Sequence, residues 1–223
     1  MKKLTTLNQI WPLFGLKIQT PRLEVRMLKD EEIAQLINVA QQGIHDPSVM
    51  PFGFPWTDKK SPAFERDFLQ FHWKERSEWK PDSWSLNFGV FLNGKPIGAQ
   101  ALSADKFSQT KTCQTGSWLG KKYQGKGYGK EMRSAVLELA FGSLGATEVY
   151  SGAYENNKAS LGVSKALGYE ENGKHIQLSR TKPLHIIDLR LTRATWLKSR
   201  RKDIRVAGLE PCLPLFGLKS KKK

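Results

Sequence analysis

The sequence predicts a mixed α/β (α+β) domain built on one hairpin-rich sheet, and three observations carry that reading. Asn93-Gly94 stands between two apolar runs, the strongest short-range hairpin signal there is. A strand-like stretch ending at Leu119 runs through a glycine loop, Gln124-Gly125-Lys126-Gly127-Tyr128-Gly129, straight into a helical pattern. Strand-period and helix-period segments also alternate along the chain, which places helices on the faces of a sheet.

Taken in order, Leu23-Glu24-Val25-Arg26-Met27 alternates as a half-buried strand does. Asp30 reads as the cap of a helix with Ile33, Leu36, Ile37 and Ala40 at helical spacing and Gly43 at its end. Residues 46–57 are turn-rich and aromatic. Ser61-Pro62 reads as a cap with proline at the first helical position, followed by Phe64, Phe68 and Phe71 on one face. Strands are expected at Ser85 to Leu92, Ile97 to Leu102 and Cys113 to Leu119. After the glycine loop, Met132, Ala135, Val136, Leu139 and Ala140 form an apolar stripe that Gly145 ends. A strand at 147–153, a helix at 158–167 and strands near 169–178 and 184–191 follow. Thr192 reads as the cap of a last short helix containing Trp196.

A chain of 223 residues with 39% hydrophobic and 26% charged residues makes a real core, which excludes disorder for its bulk. No run approaches the roughly 18 apolar residues of a membrane span. Met1-Lys2-Lys3 imitates a secretory start, but Thr5, Thr6, Asn8, Gln9 and Pro12 break the apolar stretch an export signal needs. A cytoplasmic protein without membrane partners is the expectation. Cys113 and Cys212 cannot form a disulfide framework, which agrees with a reducing compartment. The histidines (45, 72, 175, 185) lack metal-ligand spacing, and no metal is assigned.

Net charge is +15, and most of the excess sits at the ends: +3 in residues 1–17, +7 in 198–223 and +5 in the long body between. A nucleic-acid-binding domain more often carries its charge as a stripe through the fold. Lys219, Lys221, Lys222 and Lys223 read most simply as a solvated end, and more sharply as a means of weak association with a polyanion such as ribosomal RNA. Pro12-Leu13-Phe14-Gly15-Leu16-Lys17 recurs as Pro214-Leu215-Phe216-Gly217-Leu218-Lys219, two apolar straps expected on similar surface. The chain divides accordingly into a strap at 1–19, a folded body at 20–197 and a basic extension at 198–223.

A strand, a glycine loop and a helix N-terminus make an anion site. Unpaired N–H groups point outward, the helix dipole adds positive potential, and glycines let phosphate oxygens approach. Three patterns compete for the loop. The dinucleotide fingerprint fails because Lys130 stands where its third glycine belongs. The nucleotide P-loop fails at Gly127, which removes the magnesium-holding hydroxyl and with it a nucleotide-hydrolase reading. Q-x-x-G-x-G fits at Gln124, Gly127 and Gly129.

With this last pattern, residues 115–169 resemble the GCN5-related N-acetyltransferase superfamily, most of all its branch of ribosomal-protein N-terminal acetyltransferases. Asn157-x-x-Ser160, the helix end Lys165-Ala166-Leu167-Gly168-Tyr169 and the closing Leu191-Thr192-Arg193-Ala194-Thr195-Trp196 support the resemblance. It implies a central, mixed but mostly antiparallel sheet flanked by helices, and transfer of acetyl from acetyl-coenzyme A directly to a primary amine. It further implies that Gln124, Gly125, Lys126, Gly127, Tyr128, Gly129 and Lys130 hold the pyrophosphate, that Trp118 and Leu119 align the pantetheine arm, and that Asn157 hydrogen-bonds that arm. Many relatives carry a glutamate base where Gln114 stands and a tyrosine acid where Ser164 stands. Glu155, Asp105 and a water chain to a backbone carbonyl are the remaining candidate bases, and Ser160 is the candidate acid or else only a helix cap.

The acceptor pocket is expected between the first helices, lined by Phe52, Phe54, Trp56, Trp73, Trp79 and Trp84, whose rings suit a cationic acceptor. A protein N-terminal amine is the favoured acceptor, and a small-molecule amine the alternative. A coenzyme-binding protein without catalysis is the reading from another class, and a homodimer is left open.

Overall fold

The structure, a computed structural model, describes residues 5–219; Met1-Lys2-Lys3 and Lys221, Lys222 and Lys223 lie outside them. The described residues form one nine-stranded sheet. Its strands are β1 (Lys17–Gln19), β2 (Leu23–Met27), β3 (Ser83–Leu92), β4 (Lys95–Asp105), β5 (Thr112–Leu119), β6 (Glu148–Tyr154), β7 (Glu170–Ser179), β8 (Lys182–Thr192) and β9 (Arg205–Ala207). They lie in the order β7-β8-β6-β5-β4-β3-β2-β1-β9. Every neighbouring pair is antiparallel except β5 and β6. Asn93 (φ 50°) and Gly94 (φ 75°) are both left-handed and close the β3–β4 hairpin, as the Asn-Gly pair requires.

Helices cover both faces. On one lie α2 (Asp30–Gln41) and α3 (Ala63–Ser77), enclosing Ile33, Leu36, Phe64 and Phe68 with Phe91. On the other lies α5 (Tyr128–Leu137), prolonged by a π-helical turn, Glu138–Leu144; α6 (Lys158–Ala166) meets α5, and α7 (Arg193–Lys198) follows β8. Short helices α1 (Leu7–Ile10) and α4 (Phe107–Thr110) complete the set. Cys113 and Cys212 are buried free thiols, and no described helix is long and apolar enough to cross a membrane.

Local details correct the sequence reading. Lys29, not Asp30, is the N-cap of α2: Glu32 reaches back to the Lys29 N–H, while Asp30 binds Arg76 and Trp73 of α3. Pro62 occupies the cap position and α3 begins at Ala63. Phe71 is about half exposed, because Phe64, Phe68 and His72, four residues apart, take the buried stripe.

The two straps meet. Pro12–Gly15 and Glu210–Phe216 form 3-10 turns in contact with each other, and β1 pairs with β9. Trp79 donates Nε1–H to the Leu215 carbonyl at 2.8 Å, and Phe216 is buried between Trp79 and Trp84. Phe216→Ala therefore empties a closed aromatic site, and a loss of about 3–5 kcal/mol is expected in urea unfolding.

His72 supplies a pH test. Burial, helped by the charge of Arg76, pushes its imidazole down to about 4. Between pH 6.5, where an unfolded histidine titrates, and 4, the unfolded chain binds a proton that the folded chain does not. Stability therefore falls as pH drops through that window. Melting scans of wild type and His72→Phe should show a shallower slope in the variant.

Candidate active site

The site begins where β5 and β6 separate. They pair in parallel over Thr112–Gln114 and Glu148–Tyr150 only. Beyond Gln114 and Tyr150 the strands diverge, so the edge of β5 from Thr115 to Leu119 has no strand partner on the β6 side. On the α5 face the gap is crossed by the Arg133 guanidinium, which donates to Ser117 Oγ at 3.0 Å and Ser151 Oγ at 3.2 Å. The fork's mouth, at Leu119, opens directly onto the glycine loop.

That loop is built as an anion cradle. Gly125 (φ 72°) and Gly127 (φ 82°) are left-handed, a conformation costly for side-chain-bearing residues. Glu131 N–H makes the first helical bond of α5, to the Gly127 carbonyl. Among the described residues, none accepts from the backbone N–H groups of Gly125, Lys126, Gly127, Tyr128, Gly129 or Lys130. Six successive free donors at a helix N-terminus, flanked by exposed Lys126 and Lys130, are an anion site. Gly129 serves a different end: its φ is helical, and a Cβ there would come within 3.4 Å of Val163 on α6.

The loop is held from beneath. Glu131 is buried, yet its carboxylate accepts from Thr20 Oγ1 (2.6 Å), Arg22 N–H (3.0 Å) and Arg22 Nε (2.7 Å). Burial opposes its ionisation, but these hydrogen bonds outweigh burial and hold the carboxyl below its ordinary value. Arg22 also donates to the Lys126 carbonyl at 3.1 Å and lies 4.5 Å from the Tyr128 ring centroid.

A family model for the acetyltransferase (GNAT) domain matches residues 22–170, two thirds of the chain and all of this machinery but Thr20. The chain belongs to the GNAT acetyltransferase family. Solved structures show the same fold. A protein from Vibrio cholerae assigned as a ribosomal-protein-serine acetyltransferase is 23% identical, with a TM-score of 0.61 over 79% of this chain and 97% of its own. Mycobacterium smegmatis RimJ, solved with CoA-disulfide, is 14% identical, with a TM-score of 0.66 over 82% and 92%. A chimera of Vibrio cholerae spermidine N-acetyltransferase SpeG with hSSAT is 14% identical, with a TM-score of 0.61 over 79% and 98%.

In this GNAT chain the expected site residues fall into distinct groups. Trp118 and Leu119 end β5 at the fork, with Leu119 buried in the main core and Trp118 packed on Trp56 and Phe68. Gln124 differs from expectation. Its amide donates to the carbonyls of Ile44 (2.6 Å) and Leu119 (2.8 Å) and its N–H to Lys121, so it braces the loop and has no donor left for phosphate. Asn157 is the N-cap of α6, its Oδ1 accepting from Ser160 N–H at 3.1 Å. Ser160 is thus the capped residue and not the cap, and its hydroxyl has no partner among the described residues.

Glu155 follows β6 at the fork's mouth, half exposed and 3.4 Å from His185 Nδ1. Asp105 lies at the opposite, closed end, accepting from Ser83 Oγ at 2.6 Å. The two candidate bases therefore do not share a site. The expected aromatic lining also divides. Phe52 and Trp56 join Trp118; Trp79 and Trp84 belong to the strap core, and Phe54 and Trp73 are exposed. The rings alternate between elements that face different cores.

Three features escaped the sequence reading. Arg22 and Glu131 lie 109 residues apart, and only the fold joins them. Arg133 sits in the part of α5, Glu131–Leu137, that is buried all round, where no polar face marks it as unusual. On the α3 side of the closed end is a cavity of about 660 Å³, lined by Glu75, Glu78, Ser85, Asp105, Gln114 and Tyr150. Glu75 accepts there from Asn87 Nδ2 at 2.9 Å.

Gly127→Val forces a β-branched residue into the left-handed region, and Gly129→Val adds two methyls beyond a Cβ that already touches Val163 of α6. Both should weaken coenzyme A binding at least about tenfold, the equivalent of about 1.4 kcal/mol, with an unchanged far-ultraviolet spectrum. Titration calorimetry with coenzyme A checks this, and near-normal affinity would detach the loop from the coenzyme.

Proposed function

We propose that the chain is an acetyl-coenzyme A-dependent N-acetyltransferase acting on a primary amine by direct attack, with a protein N-terminal amine as acceptor. The observation that carries this reading is the run of six free backbone N–H groups opening onto an unpaired strand edge. Backbone donors suit the pyrophosphate, and the edge of β5 suits the amide groups of a pantetheine arm. The coenzyme supplies an activated thioester when bound.

The chain's own residues then bind, orient and move protons. The N–H groups of 125–130, with Lys126 and Lys130, hold the phosphates; Tyr128 is kept in place by Arg22. Asn157, its Oδ1 spent on the cap, has its Nδ2 left to donate to the arm. Of the two candidate bases, Asp105 lines the cavity that receives the acceptor and takes the proton from the amine, while Glu155 stays at the fork's mouth; the Ser160 hydroxyl returns a proton to the leaving thiolate. The amine's C–N bond forms as the thioester's C–S bond breaks, so atoms and charge balance. The cavity beside Gln114 and Tyr150 receives the acceptor, where Glu75, Glu78 and Asp105 attract an ammonium group. The basic ends offer weak association with a polyanion that carries the acceptor.

Binding without transfer is the second reading. It is favoured by Gln114, which cannot act as a base, and by Ser164, whose buried hydroxyl has no partner where relatives carry a tyrosine. Labelled acetyl-coenzyme A, a bacterial lysate split by size and a Gly127→Val control separate the readings. Control-sensitive label in the large fraction supports the protein acceptor, and label in the small fraction a metabolite amine. Label in neither favours the binding-only protein.

A further inference from the structure

Three ionisable side chains of α5 and its continuation are buried: Glu131, Arg133 and Glu138. Each acid has a guanidinium of its own, Arg22 for Glu131 and Arg200 for Glu138. Arg133, between them in sequence and 3% exposed, has no carboxylate among the described residues. Its contacts are two serine hydroxyls, one on each diverging strand, and the Tyr169 hydroxyl, and its Nε–H is buried without any acceptor. A buried cation held only by neutral groups is costly, and this one stands inside the fork.

Its surroundings are polar where a core would be apolar. Gln100 lies directly across from Ser117 on β4, fully buried, with Nε2 spent on the carbonyls of Ala101 and Gly116 and Oε1 unpartnered. Tyr169 is buried, with its hydroxyl 3.4 Å from Thr115 Oγ1. The fork is therefore lined by buried polar groups around one positive charge that has no carboxylate partner among the described residues. An acetyl group would present a methyl to that set, and a methyl gains nothing from a guanidinium.

We infer that the fork accepts an acyl group that ends in a carboxylate, the monothioester of a short dicarboxylic acid, with Arg133 binding the carboxylate. This rests on the coenzyme-site reading above and extends the donors of that site from acetyl to a charged acyl group. The phosphates cannot fill the same role, because the cradle that suits them lies outside, at the start of α5, whereas Arg133 faces the gap between the strands. The carboxylate supplies the counter-charge that the described residues do not, and the Ser117 hydroxyl is a further donor for its lone pairs.

The test is a calorimetric ladder of coenzyme A, acetyl-, malonyl- and succinyl-coenzyme A against wild type and Arg133→Met. The wild type is expected to bind malonyl- or succinyl-coenzyme A at least about tenfold more tightly than acetyl-coenzyme A. Arg133→Met should lose that preference, hold coenzyme A itself within about twofold, and melt no lower than wild type, since it removes an unpaired buried charge. A wild type that binds acetyl-coenzyme A as tightly as both charged donors overturns the inference and leaves the coenzyme site intact. Absence of binding by all four overturns the site reading and this inference together. Should the variant fail to fold, the wild-type ladder decides alone.

Discussion

Only one junction in the sheet is parallel, and the site depends on its being short. Parallel neighbours need a crossover, here the loop and α5, and the crossover leaves from the carboxyl end of β5. Because β5 and β6 part after three paired residues, that same end carries an open strand edge. The start of α5 therefore arrives beside unpaired backbone. Free strand edge and free helix N–H groups are both costly to leave unmatched, and the fold places them side by side at one mouth. An antiparallel return from β5 would have needed only a tight turn, with neither helix N-terminus nor fork.

Open polar backbone keeps its shape only if its surroundings hold it. Gln124 ties the loop to the end of β5 and to the segment after α2. Glu131, by gathering Thr20 and both donor types of Arg22, fastens the entry of β2 to the first turn of α5. Arg22 then reaches the Lys126 carbonyl, so the outer rim of the cradle is fixed from below. None of these contacts uses the N–H groups of 125–130. The bracing is complete and the binding surface is still free, which lowers the ordering cost of a ligand.

The parts legible in the sequence were those with local signatures. Asn93-Gly94, the glycine loop and the apolar stripe of α5 each state their geometry within a dozen residues. What stayed hidden was long-range. β1 and β9 are three-residue strands about 190 positions apart, too short to show periodicity, and they exist only because they pair. Trp79 and Trp84 resemble Phe52 and Trp56 in composition, yet they face a different core, and no local pattern tells which. Gln124 matched its motif and was given the motif's usual task; only its carbonyl partners reveal that its amide is already engaged. Arg133 is the sharpest case, since a charged residue in a helix ordinarily marks the solvent side and from Glu131 onward this helix has none.

Charge bears on the acceptor differently once the fold is known. Basic Lys17 and Arg205 lie on the β1–β9 edge, and β1 is four strand spacings from β5. At roughly 4.8 Å per spacing that is about 19 Å, more than twice the physiological Debye length of about 8 Å. This part of the positive excess is largely screened at the fork, so it neither repels a small cationic amine there nor favours a large acceptor over it. Within the cavity the nearest charges are instead those of Glu75, Glu78 and Asp105. The net charge thus governs what the molecule approaches from afar, while under the proposed function it is the cavity's own carboxylates that select the amine beside Gln114 and Tyr150.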